Sequence, residues 1–424
     1  MSNLEFEASI GMSRKWYARE AGQEVAKTAI EKLGHSPKFF LLFSTIHYEK
    51  HGGFEEFLNG VWDILPEGTP LIGGTVAGFM NQHGCFTKGA TSLAVYSEDI
   101  DVEIGVGHNT KRNPKKAVDE CFSKIKNLDD NKNQFFFEIV SGAEIPNFPR
   151  IGRQSVIKSK RAGETSIKLL PLISHLNMGA DRADEILDNI IDRFPNSKLI
   201  GMTCIDNRKF IHNYQFFKDK LLENALCIIK LNCDLNCELK TSFGLVEKKG
   251  DVIDFELKPD RRLVQKINGK KATEELLNIV GIDQDNVRLL DRFYSQSFYY
   301  PFGCYKNDFI HVCIVSGILG EKVYFANQVD KTNLNLFQLT GKQILKSTEE
   351  LFSSFSDDLH LNFMIMCETY IETLGNQIYK IYDMIKNKVN NPFLVLFVGG
   401  ESISYGDGIP HYLYESLNSL TVKN

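Results

Sequence analysis

Long apolar runs are what this 424-residue chain most plainly lacks. The longest, at 39–43, 135–137 and 393–398, fall far short of the roughly 20 residues that a membrane-crossing helix needs. The N-terminus, residues 1–12, holds Glu5 and Glu7 and has neither the basic start nor the apolar centre of a secretion signal. A surplus of positive charge is missing as well. With 49 Lys and Arg against 54 Asp and Glu, the net charge of -5 leaves no broad field for a phosphate backbone, so no nucleic-acid partner is expected. Nine cysteines, an odd number scattered over the whole length, do not make the dense, even framework of a secreted disulfide scaffold. Together these absences describe a cytoplasmic protein without a membrane span.

Chemical signatures are equally sparse. No phosphate loop and no nucleophile beside a base at a recognisable spacing stand out, so no catalytic residue is expected and the chain reads as a non-enzyme. Cys233 and Cys237 have the spacing of half a zinc site, but no second pair completes four ligands, and no metal is expected. The histidines are spread singly. Because haem needs only one or two axial ligands, a haem-binding gas sensor stands as the alternative, with His83 and His411 first to test.

What the sequence does contain is regular patterning. Ala18, Ala21, Val25, Ala26, Ala29, Ile30 and Leu33 recur at helical spacing, and Gly34 follows where a left-handed cap would end the helix. A buried strand is expected at 39–44, a helix at 54–65 stopped by Pro66 and Gly68, a strand entering the Gly73-Gly74 bend, and strands at 91–96 and 101–106. The order returns with a strand at 135–140, a helix opened by Asp181, and strands at 199–203 and 225–231. A third pass has a helix at 340–355, a strand at 362–367, a helix at 371–389, a strand at 393–398, the Gly399-Gly400 bend and a strand at 416–422. Segments 71–96, 199–231 and 393–422 thus share one plan, by descent from a repeated unit or by chance. Between them, 239–256 alternates like a hairpin with its turn at Lys249, Gly250 and Asp251. The expectation is a mixed α/β (α+β) protein of two modules, 1–233 and 234–424, each a mixed sheet flanked by helices.

Particular segments carry a resemblance. Pro70-Leu-Ile-Gly-Gly-Thr-Val-Ala-Gly78 followed by Ser92-Leu-Ala-Val-Tyr96 resembles the opening of the FIST N-terminal module. Asn213-Tyr-Gln-Phe-Phe217, Lys266-Ile-Asn-Gly-Lys-Lys-Ala272 and Phe298-Tyr-Tyr-Pro-Phe-Gly303 are similar to later FIST elements, in the same order. The closing stretch with Gly400-Glu401 and Leu417-Asn418-Ser419-Leu420-Thr421 resembles the end of the FIST C-terminal module. It departs from the family where an arginine usually follows the position of Cys367 and a histidine precedes the last asparagine. The resemblance implies an intracellular sensor that binds a small polar metabolite such as an amino acid derivative and signals through a separate protein partner.

Candidate ligand-binding residues follow from the two bends. Glycine lets a backbone turn with positive φ or lets another group approach closely, so Gly73, Gly74, Gly399 and Gly400 mark either a pocket at strand ends or plain tight turns. Glu401 would hold an ammonium by a charge-assisted hydrogen bond, or cap adjacent backbone. Thr75, Ser402 and Asn418, with Thr203, would add neutral hydrogen bonds, or satisfy the turns themselves. Arg150, Arg153, Lys158, Lys160, Arg161 and Lys168 form a basic stretch that reads as a solvated loop or an anion-attracting one.

Overall fold

Strands that are apolar along their whole length must be covered on both faces. Phe39–Ser44, Gln134–Val140 and Phe393–Val398 are buried at every position, and each lies in a different six-stranded sheet. The computed structural model describes residues 6–128, 130, 133–148, 152–232, 235–282, 297–356 and 358–423. Among these, no helix is long and apolar enough to cross a membrane.

The three sheets repeat one topology. At the centre of each, two strands run parallel: Phe39–Ser44 with Leu71–Thr75, Gln134–Val140 with Lys198–Thr203, and Leu359–Cys367 with Phe393–Val398. Parallel neighbours need a crossover, supplied by the helices Phe54–Trp62, Ala183–Arg193 and Ile378–Lys388 respectively. Each pair is flanked by a returning antiparallel strand, Ala90–Ser97, Ala225–Asn232 or Ser416–Lys423. Beyond that lies the strand that opens the unit, Phe6–Ser13, Asp101–His108 or Asn236–Phe243. The shared plan seen in the sequence is therefore a threefold repeat, with units at 6–97, 101–232 and 236–423.

Each sheet is completed by a hairpin from another unit. Gly78–Asn81 and Gly84–Phe86 of the first unit extend the third sheet beside Phe393–Val398. Gln215–Phe217 and Lys220–Leu222 of the second extend the first sheet beside Leu71–Thr75. Glu401–Tyr405 and His411–Leu413 of the third extend the second sheet beside Lys198–Thr203. The exchange closes a cycle. Residues 233–234, where the division into 1–233 and 234–424 falls, lie outside the described residues, and two of the three six-stranded sheets draw strands from both sides of it.

The inner faces of the sheets meet in one apolar cluster, where Phe43, Phe137 and Phe363, one from each unit, stand 5.2 to 6.4 Å apart by ring centroid. The outer faces are covered by helices, Ala18–Leu33 and Phe54–Trp62 on the first sheet and Gly341–Ser353 and Ile378–Lys388 on the third. Gly34, at φ 74°, caps the first helix by donating to the Ile30 carbonyl, as its position foretells.

Three local expectations are corrected. The chain opens with a strand before its first helix, because Phe6–Ser13 finds its partner 77 to 91 residues away in Ala90–Ser97. The alternating 239–256 is not a hairpin: Asn236–Phe243 pairs with Ser416–Lys423, and Ile253–Leu257 with Leu263–Ile267. Gly244 parts them, its N–H donating to Tyr370 Oη at 2.8 Å. The helix expected at 371–389 is broken at Gly375, which has φ 49°. Segment 245–339 is an insertion in the third unit and forms most of a ten-stranded sheet, joined at its edge by Val156–Ile157 of the second unit. The basic stretch continues from there into the helix Lys160–His175, while Arg150 lies outside the described residues.

Candidate functional site

Carboxyl ends of parallel strands are where open α/β sheets leave a crevice. Here the ends from the second and third units border a cavity of about 410 Å³, which Gly142, Thr203, Cys367 and Gly399 line. The excursion 142–182 and the insertion, with Arg262 and Ile314, supply its outer wall. Most of that wall is apolar, including Ile173, Ile205, Phe210 and Phe298. Phe210 is held by Asp206, whose carboxylate accepts the backbone N–H groups of Phe210, Ile211 and His212 at 2.7 to 3.2 Å.

The structure places the sequence-derived candidates around this corner without bringing them all into it. Gly73 and Gly74 sit inside the strand Leu71–Thr75 with no positive φ, so their reason for being glycine is close approach. A Cβ on Gly73 would stand 1.8 Å from the Leu42 carbonyl oxygen, and one on Gly74 2.4 Å from Cys204 Sγ. Thr75 is fully buried, its Oγ1 accepting from the Tyr214 N–H at 3.1 Å and its carbonyl from the Ile205 N–H. The Gly399 N–H donates to the Thr203 carbonyl, and the Thr203 N–H to the Gly400 carbonyl. Segment 203–205 is thus a bridge between the two diglycines. Gly399 lines the cavity, whereas a Cβ on Gly400 would meet Tyr412 Oη at 2.3 Å. Glu401, Ser402 and Asn418 are fully buried behind it, with Glu401 Oε2 accepting from Ser416 Oγ at 2.9 Å and Asn418 Oδ1 from Thr241 Oγ1 at 2.7 Å.

The histidines singled out for haem lie elsewhere. His411 is fully buried, its ring 3.8 Å from that of Phe309 and its Nδ1 3.0 Å from His311 Nε2. Burial, then Lys306, pulls its pKa down to about 4. His83 is exposed, with Nε2 3.4 Å from Lys32 Nζ. Neither lines the cavity.

Charge is distributed unevenly over the cavity wall. Arg262 gives its guanidinium to Asp184 at 2.6 Å, to Glu185 at 3.2 Å and to the Ala326 carbonyl. Arg182 grips Glu185 with two bonds of 2.6 and 2.8 Å. Glu144 stands 2.8 Å from the fully buried Lys111 Nζ, whose pKa burial lowers against the pull of that carboxylate. These cations are committed. The carboxyls that remain are poorly compensated: Asp181 accepts one N–H, from Ala183, and burial followed by Asp184 raises it to about 6. Glu368 reaches Arg208 only at 3.7 Å and is raised by burial to about 8. Glu415, fully buried on the wall, has no hydrogen-bond partner at either carboxyl oxygen, and burial followed by Glu401 holds its pKa well above the ordinary range. Its backbone sits at φ 57°, a left-handed conformation that non-glycine residues adopt at a cost. Ser155 Oγ, also on the wall, is likewise buried without a partner.

Glu368, Glu415 and Ser155 are absent from the sequence-derived set. Cys367, after which the usual FIST arginine is missing, stands next to Glu368, and Glu415 lies shortly before Asn418, where the pattern's histidine is missing, so an altered motif position was the one available signal.

The cavity thus lies where interlocked α+β units bring strand ends together. The FIST N domain matches residues 5–270, and the chain belongs to the FIST family, a family of sensory, signal-transduction domains. Among solved structures, a cyanuric acid hydrolase from A. caulinodans is similar at TM-score 0.27 and 8% identity, over 54% of this chain and 72% of that one. No curated protein matches the chain.

Proposed function

We propose that this protein is a sensory protein that binds a small polar metabolite in the cavity between its second and third units and hands the signal to a separate protein partner, without catalysis of its own. One observation carries the reading: a cavity of about 410 Å³ whose wall holds the unpartnered Glu415 carboxyl and Ser155 hydroxyl. Buried polar groups without partners cost about 1–3 kcal/mol each, and a bound solute that satisfies them recovers that cost. The volume falls in the range usual for small-ligand sites.

Thermal-shift screening against amino acids, organic acids and nucleotides tests the proposal. A ligand at one hundred times its dissociation constant adds about 2.7 kcal/mol of stability. In a Ser155→Phe variant, whose ring occupies the cavity, the same ligand gives no shift. Flat responses across the library in the unmodified protein count against a receptor.

A further inference from the structure

Resting on that reading, we infer that the ligand of this cavity is an organic cation, a primary amine or amidine with an apolar body, anchored by Glu415 and Glu368. The argument is one of which groups remain available. The guanidinium donors on the wall are already engaged: Arg182 is spent on Glu185 and the carbonyls of Lys111 and Arg112, and Arg262 on Asp184, Glu185 and Ala326. A carboxylate or phosphate ligand would have to break one of these buried pairs. Acceptors are what the wall leaves open, namely both oxygens of Glu415 and the weakly paired Glu368.

Among the described residues no cation pairs with Glu415, and Glu368 has only Arg208, at 3.7 Å. Glu401 lies next to Glu415 with its Oε1 unpartnered, and Cys367 and Tyr370 feel the charge of both. Three carboxyls and a thiol thus share one buried corner at the ends of Leu359–Cys367 and Phe393–Val398. Buried like charges of that kind stay neutral, or ionise when a cation joins them. An ammonium donates three hydrogen bonds to such a corner, and the apolar wall formed by Phe210, Phe298 and Ile205 suits the remainder of the molecule.

The test holds the body of the ligand constant and changes its head. Phenethylamine, 2-phenylethanol and 3-phenylpropionate, and the parallel set pentylamine, 1-pentanol and hexanoate, are titrated calorimetrically against the full chain. Each amine is expected to bind about tenfold or more tightly than its alcohol, and the acid least. Glu415→Gln is expected to erase the preference of amine over alcohol while leaving alcohol binding in place. Glu368→Gln serves if that variant does not fold, and is expected to weaken it. In the unmodified protein, amine binding is expected to release protons from the group formed by Glu368, Glu401, Glu415, Cys367 and Tyr370, read as an enthalpy that depends on the buffer's own ionisation heat. Alcohols or acids binding as well as amines would overturn the cationic assignment and leave the receptor intact. No binding by either series, together with a flat broad library, would overturn both.

Discussion

Two diglycines, Gly73-Gly74 within Leu71–Thr75 and Gly399-Gly400 just after Phe393–Val398, stand at corresponding strands of the first and third units, and their surroundings differ. The first is sealed: Leu42, Cys204 and Tyr214 press on it from backbone and side chain, and it has become part of a packed strand. The second is half open, with Gly400 beneath Tyr412 and Gly399 facing the cavity. The same dipeptide after the same kind of strand therefore does two jobs. What decides between them is the segment opposite, since two long excursions stand away from the strand ends of the second and third units and leave a hollow.

Substitution separates the two corners, and the largest effect is expected at the sealed one. Gly73→Ala would drive a methyl into the backbone at Leu42, which cannot yield as a side-chain tip can, and should cost at least about 3 kcal/mol in equilibrium denaturation. Next comes a carboxyl of the sheet interior. Glu138 is fully buried with both oxygens unpartnered, and burial lifts its pKa to about 8. A raised acid favours folding while protonated, so its contribution is complete below the ordinary glutamate pKa and is lost as pH climbs through about 8. Glu138→Gln should therefore flatten the decline of stability over that window, by up to about 1.4 kcal/mol per pH unit, followed by urea midpoints at successive pH values. Gly400→Ala meets side-chain atoms rather than backbone, the end of Tyr412 and Thr203 Oγ1, and is expected to cost about 1–2 kcal/mol. Gly399→Ala, with Thr203 Oγ1 at 3.1 Å, should cost under about 1 kcal/mol yet shift ligand affinity, because its methyl enters the cavity. Equal losses at Gly73 and Gly399 would erase the contrast between the corners.

Much of the architecture was readable from the chain because it is written in local patterns. Apolar strands at 39–44, 135–140 and 393–398 and the helix at 18–33 declare themselves through periodicity, and the threefold plan follows from their order. Partner choice does not declare itself. Nothing in Gln215–Phe217 says that it pairs with Leu71–Thr75, and the alternation of 239–256 looks the same whether its partner is adjacent or 180 residues away. The cavity was hidden for a related reason: Gly142, Asp181, Thr203, Arg262, Cys367 and Glu415 meet only after three units and two excursions have packed. Gly399 was legible because it belongs to a motif, whereas Glu415 gains its chemistry from isolation, a property of surroundings and not of spelling.

The exchanged hairpins also govern how the molecule can be made. Since residues 401–413 supply two strands to a sheet begun at residue 101, the middle sheet cannot be finished until the chain has been synthesised through residue 413. Assembly resembles fastening a three-part clasp, and removing residues 401–423 leaves two sheets incomplete at once.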